Sequence, residues 1–242
     1  MGLLKRLLGR SRGTALTCTA IVPAAGRSVR MGGDKLFLPL GDMPVILRTL
    51  RTLESSVYIT EIVIAAREEQ IVPLGQLCKD AALEKVRKIV VGGETRSASV
   101  LAGLREADPS SELIAIHDGD RPLVTVDIIN AAIEKAALCG AAAPAVPVKD
   151  TVKRAANGVV SGTLDRSELY AVQTPQVFEH GLILGALEKA LADGAELTDD
   201  CSAVERIGMP VSLTEGSYDN IKLTTPEDLA VGAAILERWG LL

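Results

Sequence analysis

Thr19-Ala20-Ile21-Val22-Pro23-Ala24-Ala25-Gly26-Arg27-Ser28-Val29-Arg30-Met31-Gly32-Gly33-Asp34-Lys35 is the stretch that decides the fold. Its first five residues form a short apolar run, the pattern of a strand buried on both faces of a parallel sheet. The continuation from Ala24 to Lys35 is small and glycine-rich, with Arg30 and Lys35 as positive charges. Small residues let a backbone approach phosphate oxygens, which its N–H groups can cradle. The same composition also makes a plain turn with solvated basic side chains. The spacing is neither G-x-G-x-x-G nor the Walker pattern, so the two commonest nucleotide fingerprints do not apply.

Further apolar runs follow at Glu61–Ala66, Lys88–Val91, Leu113–His117 and Ala141–Val148, the last weakened by Pro144 and Pro147. Helical spacing separates them at Pro44–Ser55, Ser97–Ala107 and Asp127–Leu138. A last helix is marked by Thr225 as cap, Pro226 in the first turn and Glu227 and Asp228 near its positive end. Strands alternating with helices imply an α/β fold, Rossmann-like, with a mostly parallel sheet flanked by helices. The alternation breaks at Lys149–Arg166, where Asn157-Gly158 stands between β-prone residues. That is a hairpin signal, read either as a projecting β-arm over about residues 149–168 or as a longer surface loop. No repeat or linker divides the chain, so residues 18–242 are expected to form a single domain after an N-terminal extension over 1–17.

Composition narrows the function. The chain has 242 residues, 48% of them apolar but only 2% aromatic. That is ample for a core and poor for a stacking platform on single-stranded nucleic acid. A net charge of −5 gives the bulk surface no attraction for DNA or RNA. The four cysteines, Cys18, Cys78, Cys139 and Cys201, form no C-x-x-C pair and read as reduced thiols of a cytoplasmic protein. No apolar run reaches membrane-span length. The basic, amphipathic Met1 to Arg10 is either a frayed extension or a segment that touches a membrane surface or a partner.

In a doubly wound sheet ligands bind beyond the carboxyl ends of the strands, so the residues after each strand carry the chemistry. After the third run, Gly92-Gly93 leads into a helix start holding Arg96 and Ser99. This suits contact to a base or ribose, or a simple helix cap. After the fourth come Asp118, Gly119, Asp120 and Arg121. An acidic residue there is a natural Mg²⁺ ligand or one half of an ion pair. Further polar segments are Leu164-Asp165-Arg166, Gln173-Thr174-Pro175-Gln176, and Tyr218 to Leu229 with Lys222. With two histidines and no G-x-S-x-G motif, a Ser-His-Asp hydrolase is not indicated. A phosphate monoester attacking a nucleoside triphosphate needs no such base, only stabilisation of accumulating negative charge.

Together these segments resemble one family, the 2-C-methyl-D-erythritol 4-phosphate cytidylyltransferases. The resemblance rests on PAAG…RM…K at Pro23–Lys35, GG…R…SVLAGL at Gly92–Leu104, HD..RP at His117–Pro122 and DTVKR at Asp150–Arg154. It continues with DR at Asp165-Arg166, TPQ.F at Thr174–Phe178, TDD at Thr198–Asp200 and DNIK.T.PEDL at Asp219–Leu229. It implies a fold of the nucleotide-diphospho-sugar transferase type and a homodimer whose β-arm reaches into the partner. It also implies transfer of a cytidylyl group from CTP to methylerythritol 4-phosphate, with Mg²⁺ and release of pyrophosphate. By matching position, Arg30 and Lys35 would stabilise the triphosphate in the transition state, while Arg166, from the partner's arm, and Lys222 would position the phosphate nucleophile. Pro23, Ala24, Ala25 and Gly26 would present backbone to CTP, with Gly93, Ser99, Asp118 and Gly119 also on the nucleotide. Arg121, Thr151, Thr174 and Thr198 would line the alcohol-phosphate pocket, and Asp118 and Asp219 would stand near the metal.

The resemblance departs between His117-Asp118 and Arg121-Pro122, where the family often has small residues and this chain has Gly119 and Asp120. The added carboxylate would repel phosphate if it points inward and be harmless if it points outward. Ribitol 5-phosphate cytidylyltransferase shares fold and mechanism and is the nearest alternative. More distant alternatives are a non-catalytic nucleotide-binding protein and a nicotinamide-dependent oxidoreductase, the latter without its G-x-G-x-x-G.

Overall fold

The structure, a computed structural model, describes residues 16–26 and 34–242. Arg30, and residues 1–15 of the expected extension, lie outside that range. Strand β1 (Cys18–Pro23) lies in the interior of the sheet. It pairs in parallel with β4 (Ile59–Ala66) on one side and β6 (Leu113–Ile116) on the other, and β4 pairs in parallel with β5 (Val86–Val91). Strand β11 (Gln176–Glu179) runs antiparallel between β6 and β7 (Ala141–Pro147), so β6 and β7 point the same way. Strand β7 also pairs with β10 (Tyr170–Val172) and, in parallel, with β12 (Ser212–Glu215). Pro144 does not break β7, because its carbonyl still accepts the Gln173 N–H at 2.8 Å. Only the donor side of that residue is lost. The pair β2 (Pro39–Leu40) and β3 (Met43–Pro44) makes a small separate ribbon.

Alternation along the strands divides the core into two layers. Val22, Ile62, Ile64 and Ala115 face α1 (Val45–Ser55), α2 (Glu68–Asp80) and α4 (Val126–Cys139), packing on Leu50, Leu74 and Ile129. Ile21, Val63, Ile114 and Ile116 face α3 (Arg96–Glu106), α5 (His180–Ala192) and α6 (Asp200–Arg206), packing on Val100, Leu187 and Val204. The last helix, α7 (Pro226–Arg238), closes a third cluster with Leu40, Val45 and Leu223. It starts as expected: the Asp228 carboxylate accepts the Thr224 and Thr225 N–H groups at 2.7 and 2.8 Å.

The hairpin is present. Strands β8 (Lys153–Ala156) and β9 (Val159–Thr163) pair only with each other among the described residues, and every residue of both is exposed. Asn157 and Gly158 sit at φ 51° and 77°, the double left-handed turn that Asn-Gly favours. At the base of the arm, Arg166 Nη1 donates to the Lys149 carbonyl at 3.0 Å.

One buried histidine joins the end of β6 to the β10–β11 connection. Thr174 Oγ1 accepts the Asp118 N–H at 3.2 Å and lies 3.0 Å from His117 Nδ1. His117 Nε2 lies 3.2 Å from the Arg121 carbonyl. A carbonyl only accepts, so Nε2 carries the proton and Nδ1 accepts from Thr174. Burial holds the ring neutral and pushes its pKa from 6.5 down to about 4. The unfolded chain therefore takes up a proton below pH 6.5 that the folded chain refuses, and stability falls as pH drops through this window. The loss is about 3 kcal/mol by the time pH reaches the folded value. Urea denaturation between pH 7 and pH 4 should show this slope in the native chain and a shallower one in His117→Gln. Equal slopes would mean that His117 does not carry it.

Candidate active site

The carboxyl ends of β1, β4, β5 and β6 open on one side of the sheet, onto a cleft of about 960 Å³. Each strand supplies the residues that follow it. Pro23 to Gly26 come from β1, Arg67 from β4, Gly92 and Gly93 from β5, and Asp118 and Asp120 from beyond β6. Lys35, Ser99 and Lys222 complete the wall. A Cβ on Gly92 would stand 2.7 Å from Ala25 Cβ, and one on Gly93 2.5 Å from Ala98 Cβ. Small residues here let two strand mouths and a helix start meet. Ser99 Oγ, 2.9 Å from the Thr95 carbonyl and 3.1 Å from the Gly93 N–H, fastens this turn to α3.

Asp118 is the electrostatic hub. It is buried, and its Oδ1 accepts from Arg96 Nε at 3.0 Å and its Oδ2 from Lys222 Nζ at 2.9 Å, with Arg121 Nε 3.5 Å away. Burial works against its charge, but Arg96, Lys222 and Arg121 outweigh it and hold the carboxyl well below the usual carboxylate range. Arg96 is gripped on its other side by the fully buried Asp200, Nη2 to Oδ2, at 2.8 Å. Burial opposes its charge too, yet Asp200 and Asp118 hold the guanidinium above its ordinary value. Gln176 secures Asp200 in turn: its Oε1 accepts the N–H groups of Asp200 and Cys201 at 2.9 and 3.0 Å.

Lys35 pairs with Asp120 and donates to the Leu223 carbonyl at 3.0 Å. The Asp120 side chain therefore points inward. Arg67 joins the two described ends of the glycine-rich segment, since Nη1 donates to the Gly26 carbonyl at 3.1 Å and Nη2 to Asp34 Oδ2 at 2.7 Å.

Of the residues expected on the nucleotide or in catalysis, Pro23, Ala24, Ala25, Gly26, Lys35, Gly93, Ser99, Asp118 and Lys222 line this cleft. Gly119 lies behind it, where a Cβ would come 2.9 Å from Ile46 Cδ1. Arg121 donates to the Asn220 carbonyl at 2.8 Å. Thr174 is buried at His117. Asp219 is paired with Arg238. Thr151, Arg166 and Thr198 are exposed and outside the cleft wall. Arg67 and Asp200 are not among the expected site residues; Arg96, read at its helix start, and Asp120, read as a departure from the family pattern, both line the cleft. Arg67 does stand where strand-mouth reasoning looks, directly after β4. Nothing in the sequence marks Asp200 as buried.

The arrangement offers small residues at the strand mouths, Lys35, Lys222 and a charged carboxylate, and, among the described residues, no activated nucleophile. The buried thiols of Cys18 and Cys201 are pushed far up by burial, and that of Cys78 to about 11. No cysteine lines the cleft. Such a site suits a reaction in which both reacting groups arrive as phosphates.

The family model for 2-C-methyl-D-erythritol 4-phosphate cytidylyltransferase matches residues 18–238. A relative of that name from Geobacillus kaustophilus is 48% identical over 219 residues, covering 90% of this chain and 96% of its own length. Another, from Caldanaerobacter subterraneus, is 44% identical over 231 residues, covering 92% of this chain and 100% of its own. Among solved structures, the 4-diphosphocytidyl-2C-methyl-D-erythritol synthase of Anaerococcus prevotii superposes with a TM-score of 0.83 at 32% identity, over 92% of this chain and 97% of that one. A phosphate-directed cleft on this sheet, matched over nearly its whole length at this identity, leaves no other assignment: the chain belongs to the 2-C-methyl-D-erythritol 4-phosphate cytidylyltransferase family.

Proposed function

We propose that this chain transfers the cytidylyl group of CTP to 2-C-methyl-D-erythritol 4-phosphate. A phosphate oxygen of the alcohol phosphate attacks the α-phosphorus of CTP. The bond from that phosphorus to the bridging oxygen breaks, and pyrophosphate leaves. The observation that carries this reading is the pair of lysines, Lys35 and Lys222, facing one cleft at the strand mouths beside a backbone with small side chains. The nucleophile is ionised at neutral pH, so the protein's task is charge stabilisation and alignment. Ala24 to Gly26 offer backbone to the triphosphate, Lys35 and Arg30 oppose the charge that builds on it, and Lys222 aligns the incoming phosphate. Gly93 and Ser99 shape the base and ribose end.

A divalent cation is expected with this chemistry, and the residues fit one. Asp118 is a charged carboxylate on the cleft wall, and no group of three acidic, His or Cys side chains among the described residues is placed to hold a metal alone. That suits Mg²⁺, which keeps water and substrate phosphates as most of its ligands. When bound, it neutralises charge on the phosphates. Asp118 is the protein-side carboxylate of this reading; Asp219 is engaged by Arg238.

The active form is a homodimer. Arg166 stands on an exposed arm outside its own cleft, which supports its acting in the partner's, together with the exposed Thr151 of the same arm. Exposed Val159 and Val160 give the arm an apolar surface to bury. Cysteines without disulfide partners and phosphorylated substrates support a cytoplasmic setting.

Purified protein with Mg²⁺, CTP and methylerythritol 4-phosphate should release pyrophosphate, and much faster than with ribitol 5-phosphate. A preference for ribitol 5-phosphate would reverse the substrate assignment. Lys35→Ala should lower kcat about a hundredfold while raising the Kd for CTP much less, because its charge matters most in the transition state. Equal effects on both would remove it from the chemistry. If Arg166 acts across the dimer, randomly mixed Lys35→Ala and Arg166→Ala subunits should regain roughly a quarter of native activity, one complete cleft per mixed dimer. No regain would confine Arg166 to its own subunit.

A further inference from the structure

We infer that Asp120 is a positioning residue that acts as a built-in counter-anion, occupying Lys35 beside the Asp118-held Lys222 in the empty cleft and competing with the triphosphate and pyrophosphate for Lys35; this rests on the proposed function. Asp120 Oδ2 is paired with Lys35 Nζ, and Asp120 Oδ1 lies 3.9 Å from Lys222 Nζ. One carboxylate therefore stands between the two lysines assigned to the phosphates. Its backbone is fixed there, because the Asp120 carbonyl accepts the Leu223 N–H at 2.9 Å, beside Lys222 itself. The side chain is buried on the cleft wall, and Oδ1 has no hydrogen-bond partner among the described residues. A buried carboxylate oxygen left unpaired costs stability.

The consequence is a tax on phosphate binding. Phosphate oxygens gain Lys35 fully only in molecules where the lysine has left Asp120, and apparent affinity falls by that free fraction. A free fraction of about a tenth to a fifth weakens binding about five- to tenfold. The tax applies to the departing pyrophosphate as well as to the arriving CTP, so the same carboxylate helps the lysines let go of product.

Asp120→Asn keeps the shape and removes the charge; Asp120→Ala removes the side chain. Calorimetric titration of the full chain with inorganic pyrophosphate, in EDTA and again in Mg²⁺, reads the competition directly. In both variants pyrophosphate should bind about five- to tenfold more tightly with or without metal, KM for CTP should fall, and kcat should not rise. Unchanged or weaker pyrophosphate binding in EDTA would overturn the inference. So would weakening seen only in Mg²⁺, which would make Asp120 a metal ligand. A native chain that binds pyrophosphate but never turns over CTP would instead sink the proposed reaction, and the pyrophosphate comparison would still judge Asp120.

Discussion

The ion pair between Asp118 and Arg96 is the constraint on which the cleft depends. Asp118 belongs to the mouth of β6 and Arg96 to the start of α3, and Asp200 reaches Arg96 from α6. Three elements separated in sequence are held together by one chain of opposite charges whose two carboxylates are buried. Desolvating these groups is expensive, and such a chain is tolerated only when each member is paired. Removing Asp200 would leave Arg96 with one carboxylate partner, Asp118, instead of two. Each member of the floor thus depends on its neighbour for charge compensation.

That dependence explains which parts of the molecule were legible in the sequence. The strands β1, β4, β6 and β7 are, because strands buried on both faces are continuous apolar runs whatever surrounds them, and the edge strand β5 is legible through its apolar Ile89-Val90-Val91. The arm is legible through Asn157-Gly158, whose positive φ values are a local requirement. The elements without a local signature are different. Helix α2 contains Pro73 and buries only Gln70, Leu74 and Cys78, too thin a stripe to read as amphipathic. Strand β10 is exposed along its length and β12 is only half-buried. Both exist because β7 offers them a ladder.

The site divides along the same line. Lys35, Asp118 and Lys222 follow from the resemblance, and the strand-mouth rule agrees for Asp118. Arg67 and Asp200 gain their places from folding: the first because Gly26 and Asp34 come within reach of one guanidinium, the second because Gln176 receives the start of α6. Gly119, Arg121 and Thr174 show the converse. They belong to two of the family-like motifs, yet here their contacts fasten the end of β6 to its neighbours. A motif marks a region to hold constant; geometry decides which of its residues face the ligand.

The division between arginine and lysine carries the argument one step further. The arginines of the cleft, Arg67 and Arg96, each span two acceptors on different elements, using a planar fork that loses little freedom when held. The lysines, Lys35 and Lys222, sit on flexible stems and meet carboxylates through a single nitrogen. A point charge on a long stem can trade one anion for another without moving the backbone, whereas a bridging guanidinium cannot leave without separating what it joins. A protein of net charge −5 must take up a triphosphate without a broad positive surface to attract it. On the proposed reading it does so by exchange at the lysines, over a floor that the arginines keep in place.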